Sequence, residues 1–190
     1  METKKQLRKM MKEQLLSLDP AIHKRKSGDI AQQLFSLPVW KNAKHIGITV
    51  SRGFEVDTKQ IIQKAWDDEK KVSVPKCSTV SERLMDFHRI TSFQELENVY
   101  MDLYEPIIGM TELTPAEDMD LMVVPGLIFN PDGYRIGFGG GFYDRYLAGY
   151  HGTTVSLAFD FQYMNSIPVE SFDVPVEWII TDKGVKKDGK

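Results

Sequence analysis

Four of the chain's 14 glycines fall within five residues, at Gly137, Gly139, Gly140 and Gly141. Glycine adopts positive φ and lets a ligand approach the main chain closely. Successive exposed N–H groups in such a loop form a nest for anions. Arg135 and Arg145 flank the loop, and a guanidinium binds phosphate through two parallel hydrogen bonds. A helix starting near Phe142 would add its positive end to the same attraction. Asp144 lies just beyond, and a carboxylate beside bound phosphates commonly holds Mg2+. The same Asp144 could instead pair with Arg145 or sit as a helix-start carboxylate. Two familiar phosphate motifs fail here. A Walker A loop needs Gly-Lys-Ser/Thr, and Gly141 is followed by Phe142. A dinucleotide fingerprint read from Gly137 and Gly139 needs a third glycine where Phe142 stands. Three glycines in a row could be no more than a flexible turn between strand and helix. Two arginines, an aspartate and the Phe142-Tyr143 pair tilt the segment toward an anion site.

Other candidate groups are thinner. Lys4 and Arg8 are four residues apart, so on a helix they project from one side. Residues 1–30 hold eight Lys or Arg against four acids, while the whole chain has 24 Lys and Arg, 27 Asp and Glu and a net charge of −3. That balance argues against general nucleic-acid binding. Charge alone favours a solvated face at the N-terminus over an anion site. Glu55 and Lys76 would each be ordinary surface groups if taken singly. A lone cysteine, Cys77, excludes an intrachain disulfide and suits a reducing compartment. The four histidines are scattered, without zinc-ligand spacing. No apolar run approaches the roughly 20 residues a membrane span needs. The first dozen residues are charged and lack a signal-peptide core, so secretion is not expected.

The elements that must position these groups alternate. Residues 2–17 read as a helix with Leu7, Met10, Met11, Leu15 and Leu18 on one face. Asp19-Pro20 opens a second helix, to about Phe35. Residues 46–50 form a buried strand, a break follows at 51–53, and Asp57 or Thr58 caps a helix to about Glu69. Strands are expected at 72–74, stopped by Pro75, and more weakly at 84–89 and near Tyr100. Further strands are expected at 120–124, 153–158 and 176–181, with a helix at 142–147 and a polar tail at the end. From Ile90 to Tyr134 there is no Lys or Arg but nine acids. Within that run, 95–120 reads as solvated loop and helix face. Alternation of short apolar strands with helices argues for one α/β domain over 1–190 with a mainly parallel sheet. In such sheets ligands bind beyond the carboxyl ends of the strands, which here are 51–55, 75–77 and 125–144.

Taken together, several segments resemble one family. Val124-Pro125-Gly126-Leu127-Ile128-Phe129, Gly133-Tyr134-Arg135-Ile136-Gly137 and Gly139-Gly140-Gly141-Phe142-Tyr143-Asp144-Arg145 resemble the signature of 5-formyltetrahydrofolate cyclo-ligases, also called methenyltetrahydrofolate synthetases. Lys4-Lys5-Gln6-Leu7-Arg8, Ser51 with Glu55-Val56-Asp57-Thr58, and Val74-Pro75-Lys76 match further family segments in order. The resemblance runs from Lys4 to about Asp182. It implies a layered Rossmann-like α/β sandwich, its mainly parallel sheet flanked by helices. It implies a cytoplasmic monomer acting on small molecules, with no nucleic-acid or membrane partner. The implied reaction is ATP- and Mg2+-dependent closure of 5-formyltetrahydrofolate to 5,10-methenyltetrahydrofolate.

The family's roles fall on matching positions. ATP would meet Lys4, Lys5, Gln6, Leu7 and Arg8, and the loop of Tyr134, Arg135, Ile136, Gly137, Phe138, Gly139, Gly140, Gly141 and Phe142. Arg135, Lys4 and Arg8 would carry the catalytic charge. Val50, Glu55, Phe142 and Tyr143 would line the folate site, and Asp144 and Asp173 would hold Mg2+. Phe142 stands where relatives carry Tyr, which keeps a packing role and removes a hydroxyl. Two rival readings stay open on fold alone: a non-catalytic nucleotide- or phosphosugar-binding module, and a sugar-phosphate isomerase.

Overall fold

The computed structural model describes residues 3–78 and 84–189. Helix α1 (Lys4–Leu16) opens with a capping box: the Gln6 N–H donates to Thr3 Oγ1, and the Thr3 N–H donates to Gln6 Oε1. Its apolar stripe buries Leu7, Met11 and Leu15 and leaves Met10 39% exposed. Helix α2 (Pro20–Ser36) starts on Asp19, whose carboxylate accepts from the N–H groups of Ala21 and Ile22. A short α3 (Pro38–Asn42), not expected from the sequence, follows and buries Trp40.

Strand β1 (His45–Ile48) is buried at all four positions. Helix α4 (Lys59–Asp67) begins after Thr58, but the Thr58 hydroxyl does not cap it. That hydroxyl donates to the Thr49 carbonyl and accepts from the Ser51 N–H, while Asp57 accepts from the Lys59 N–H.

Strand β2 (Lys71–Cys77) runs through Pro75 rather than stopping at it. Its pairing with β1 ends at Ser73, so a residue without an N–H costs little on that side. The antiparallel partner β3 (Met85–Ile90) carries the ladder onward. The acidic stretch is also not the loop and helix face expected. It holds β4 (Leu96–Tyr100), β5 (Leu103–Pro106) and β6 (Glu112–Thr114), joined by 3-10 turns. β4 and β5 form their own hairpin, and β6 edges the main sheet.

The remaining elements are β7 (Leu121–Val123), β8 (Ile128–Phe129), β9 (Arg135–Ile136), α5 (Phe142–Leu147), β10 (Thr153–Ala158), β11 (Trp178–Thr181) and β12 (Gly184–Lys187). The expected polar tail thus contains a strand, β12, paired antiparallel with β11. The main sheet has eight strands in the order β12-β11-β10-β7-β1-β2-β3-β6. Five adjacent strands, β11 to β2 in that order, are mutually parallel, and the flanking ones are antiparallel.

Alternate residues of each strand feed two cores. Ile46 and Ile48 of β1 and Leu121 and Val123 of β7 face the core built with α1 to α4. Met122 of β7 and Phe87 of β3 face the other, built with Leu147 of α5 and Tyr150. The order reverses between β1 and β7. β1 continues to β2 on one side, and β7 to β10 on the other. Such a switch point opens a crevice at the carboxyl ends of the strands. Among the described residues no helix is long and apolar enough to cross a membrane.

Candidate active site

A cleft of about 480 Å³ opens at that switch point. One wall comes from α1 and the glycine loop, the other from the carboxyl ends of β1 and β2 and the β4–β5 hairpin. Lys4 and Arg8 both line it, on the flank of α1 beside the buried Leu7, Met11 and Leu15. Arg8 Nε donates to the Gly137 carbonyl at 2.8 Å. Lys4 Nζ lies 2.7 Å from both Glu170 Oε2 and Asp173 Oδ2. Burial pulls the Lys4 ammonium down, but its bonds to Asp173 and Glu170 outweigh this and leave it raised.

The β8–β9 hairpin delivers Arg135 to the stem of the glycine loop. The guanidinium is almost wholly buried, with 3% of its side chain exposed. It donates to the Val174 carbonyl at 2.7 Å and to Asp144 Oδ1 at 3.0 Å. Asp144 Oδ1 also accepts from the Val174 N–H at 3.1 Å. Burial pulls the Arg135 guanidinium down from its ordinary value, and Asp144 opposes that shift. Asp144 therefore pairs with Arg135, not with its neighbour Arg145. Arg145 turns back to the Gly140 and Gly141 carbonyls at 3.2 and 3.0 Å.

With these carbonyls held, the loop leaves its donors for a ligand. Among the described residues the N–H groups at 138–141 donate no hydrogen bond. Gly139 and Gly141 have φ of 107° and 67°, a region that favours glycine. A Cβ on Gly140 would sit 2.6 Å from the Phe142 ring.

The opposite wall is a cup formed by residues 49–58. Ser51 and Thr58 bond reciprocally, side chain to main chain. His23 of α2 bonds the Glu55 carbonyl at 2.7 Å, and Ser27 accepts from the Asp57 N–H. Glu55 Oε2 accepts from the Arg52 N–H at 2.7 Å, which aims the carboxyl into the cleft. Burial pushes the Glu55 carboxyl above its ordinary 4.5, against the pull of Arg52 and Lys12. The folded state then holds its proton more tightly than the unfolded chain. Stability therefore falls as pH rises from about the ordinary value through the raised one. Glu55→Gln should flatten that part of the profile in urea unfolding as pH is raised from 4.5. An unchanged slope would rule out Glu55 as its source.

Tyr143 completes the floor. Its hydroxyl is buried, has no partner among the described residues, and is pushed well up by burial. Cys77 is nearby, its thiol pushed up to about 11 mainly by burial and then by Glu105. Such a thiol stays protonated at neutral pH and is a poor nucleophile.

The cleft thus gathers Lys4, Arg8, Val50, Glu55, Arg135, Ile136, Gly137, Phe138, Gly139, Gly140, Gly141, Phe142, Tyr143, Asp144 and Asp173. Four expected residues do not line it. Lys5 and Gln6 are exposed, with Gln6 used in the cap; Leu7 is in the core; Tyr134 packs against that core. Position in a helix explains the first three, since only one side of α1 reaches the cleft.

Sequence reasoning missed Leu103, Tyr104 and Glu105 on the hairpin, Glu170 and Phe172, and His23 behind the cup. The absence of Lys and Arg in the acidic run was the only signal, and it did not mark a wall.

Mg2+ commonly takes one or two carboxylates and completes its shell with water and substrate phosphates. The donors here fit that habit. Asp144 and Asp173 both border the glycine loop side of the cleft, and each has a carboxylate oxygen outside the pairings above. Among the described residues no group of three or more His, Cys, Asp or Glu could hold a metal by itself.

The α/β sandwich thus carries a two-walled cleft, cationic along one wall and with a half-buried carboxyl on the other, the form of an enzyme active site. The match to known proteins is specific. Residues 1–182 match the 5-formyltetrahydrofolate cyclo-ligase family, and the chain belongs to that family. It is similar to the mouse 5-formyltetrahydrofolate cyclo-ligase, 31% identical over 93% of this chain and 92% of the mouse protein. The Escherichia coli K12 enzyme of the same name is 27% identical over 93% of this chain and 98% of its own. The solved structure of Aquifex aeolicus 5,10-methenyltetrahydrofolate synthetase superposes with a TM-score of 0.85 at 31% identity, covering 98% of this chain and 94% of that one.

Proposed function

We propose that this enzyme uses MgATP to close 5-formyltetrahydrofolate to 5,10-methenyltetrahydrofolate, releasing ADP and phosphate. The observation that carries the reading is one continuous cleft with Lys4, Arg8 and the glycine loop on one wall and Glu55 on the other. A carboxyl such as Glu55 pairs with the amino and ring N–H groups of a pterin. The free N–H groups of the glycine loop, Lys4 and Arg8 suit a triphosphate.

A formyl oxygen is a poor leaving group, and phosphorylation makes it a good one. In this reading the formyl oxygen attacks the γ-phosphorus in line as the bond to ADP breaks, giving an N5-iminium phosphate. N10 then attacks the activated carbon and gives up its proton to solvent as the five-membered ring closes, and phosphate departs. Catalysis of this kind is mainly positioning and charge stabilisation. Arg135 braces the loop stem and, at the cleft edge, faces the transferring group. Lys4 and Arg8 spread the remaining charge. Mg2+ held by Asp144 and Asp173 would neutralise charge on the phosphates. No step needs a side-chain nucleophile, which agrees with the raised thiol of Cys77.

The test is direct. Purified protein with 5-formyltetrahydrofolate and MgATP should build the methenyl absorbance, and omitting ATP or chelating Mg2+ should abolish it. Nucleotide binding without product would favour a sensor. Turnover of a sugar phosphate with no need of ATP would favour an isomerase.

A further inference from the structure

Phe138 is out of place in its loop. It is a large apolar ring, 36% exposed, between glycines at 137 and 139. It belongs to neither hydrophobic core. Its ring centroid lies 6.4 Å from that of Phe54, within the range of a tilted aromatic pair. The Arg52 guanidinium carbon is 5.8 Å from the same centroid and the Lys12 ammonium 5.7 Å, both inside cation–π reach.

These partners come from different walls. Arg52 and Phe54 belong to the cup that carries Glu55, and Lys12 to α1. The single ring therefore bridges the mouth of the cleft from the phosphate side to the folate side. The loop's stem and far end are fixed by Arg8 on Gly137 and by Arg145 on Gly140 and Gly141. Between those anchors, the main chain of Phe138 and Gly139 makes no hydrogen bond among the described residues. The contacts from the tip to Arg52, Phe54 and Lys12 are made by its ring.

We propose that Phe138 is a positioning residue that couples the two substrate half-sites. It clasps the glycine loop to the Glu55 segment, so that folate on one wall tightens nucleotide on the other. The physical basis is shared ordering. A loop tip without main-chain bonds loses conformational freedom when a ligand settles beneath it. Once one ligand has drawn the two walls together, the second meets a loop already ordered and binds more tightly. Linkage makes the effect reciprocal: nucleotide must tighten folate by the same factor. The proposal rests on the function proposed above, and the absorbance assay checks that function separately.

Titration calorimetry with a non-hydrolysable ATP analogue and Mg2+, with and without 5-formyltetrahydrofolate, measures the coupling. In the wild type folate should tighten the analogue about tenfold, within the usual range of coupling factors. In Phe138→Ala and in Phe54→Ala the factor should fall below about twofold. In Phe54→Ala, which leaves the glycine loop itself intact, the affinity for the analogue alone should change little. Phe138→Tyr, which keeps the ring, should restore the coupling. The double variant should lose no more than either single one, as expected of groups acting through one contact.

Three results would overturn the proposal: a wild type that turns over but shows no coupling, a Phe138→Ala protein with full coupling, or one that loses analogue affinity equally with and without folate. The last would make Phe138 an ordinary part of the phosphate loop. Thermal midpoints of all variants, expected within a few degrees of the wild type for an exposed loop position, separate these outcomes from misfolding.

Discussion

Arg135→Ala is expected to lower kcat/KM by about 10²–10³-fold, the usual cost of removing a preorganised charge that stabilises the transition state. The sequence alone suggests that the fold would be untouched. The structure adds a second effect. Arg135 is buried and ties three pieces together: β9, Asp144 of α5 and the main chain at Val174. Its removal leaves the Val174 carbonyl without that donor and Asp144 without its cation. Breaking a largely buried pair from one side costs about 3 kcal/mol.

Activity must therefore be measured at a temperature where the variant is folded, with urea unfolding run alongside. Arg135→Lys separates the two effects. It keeps a charge but loses the planar fork that reaches Val174 and Asp144 together, so it should recover part of the stability and little of the rate. A folded Arg135→Ala protein within tenfold of wild-type turnover would sink the catalytic role. Unchanged unfolding would sink the bracing role.

Gly133→Ala should be strongly destabilising. Gly133 has φ of 91°, and an added Cβ would lie 2.3 Å from the Val176 carbonyl oxygen. The obstacle is main chain, which cannot swing aside as a side chain can. The Gly133 carbonyl also accepts from the Val176 N–H at 2.9 Å. Any shift that relieves the clash therefore disturbs the link from the β8–β9 turn to the approach to β11. Backbone strain and overpacking together predict a loss of about 3 kcal/mol or more. Because this turn leads directly into Arg135, activity should fall with stability. A chemical-denaturation midpoint equal to the wild type would show that the turn can relax.

Much of the site is legible in the order of residues along the chain. The glycine cluster, its flanking arginines and Asp144 are local signals, because a nest for anions is built from consecutive residues. Spacing alone puts Lys4 and Arg8 on one side of a helix. Alternating short apolar strands and helices announce a layered α/β fold, since strands buried on both faces must be apolar throughout. The same alternation marks the ends of β1 and β2 and the loop after β7 as the places where a ligand would bind.

Other features depend on contacts between residues far apart in the chain. Arg135 pairs with Asp144 rather than leaving Asp144 to Arg145, and it also reaches Val174, 39 residues away. Asp173 reaches the cleft through Lys4, 169 residues distant. Leu7 follows its helix face into the core although it lies inside a basic motif. Pro75 sits within β2 because the neighbouring strand has already ended, a fact about register that no local rule contains. The acidic run became a hairpin wall, and its lack of cations said nothing about where it would pack. By itself, then, the sequence determined which groups are chemically able to act and which segments carry them, because those properties follow from residue type and short spacing. Only the tertiary structure decided which of them meet, which are buried as pairs, and that a single ring at Phe138 spans the mouth between them, because packing of distant segments sets those distances.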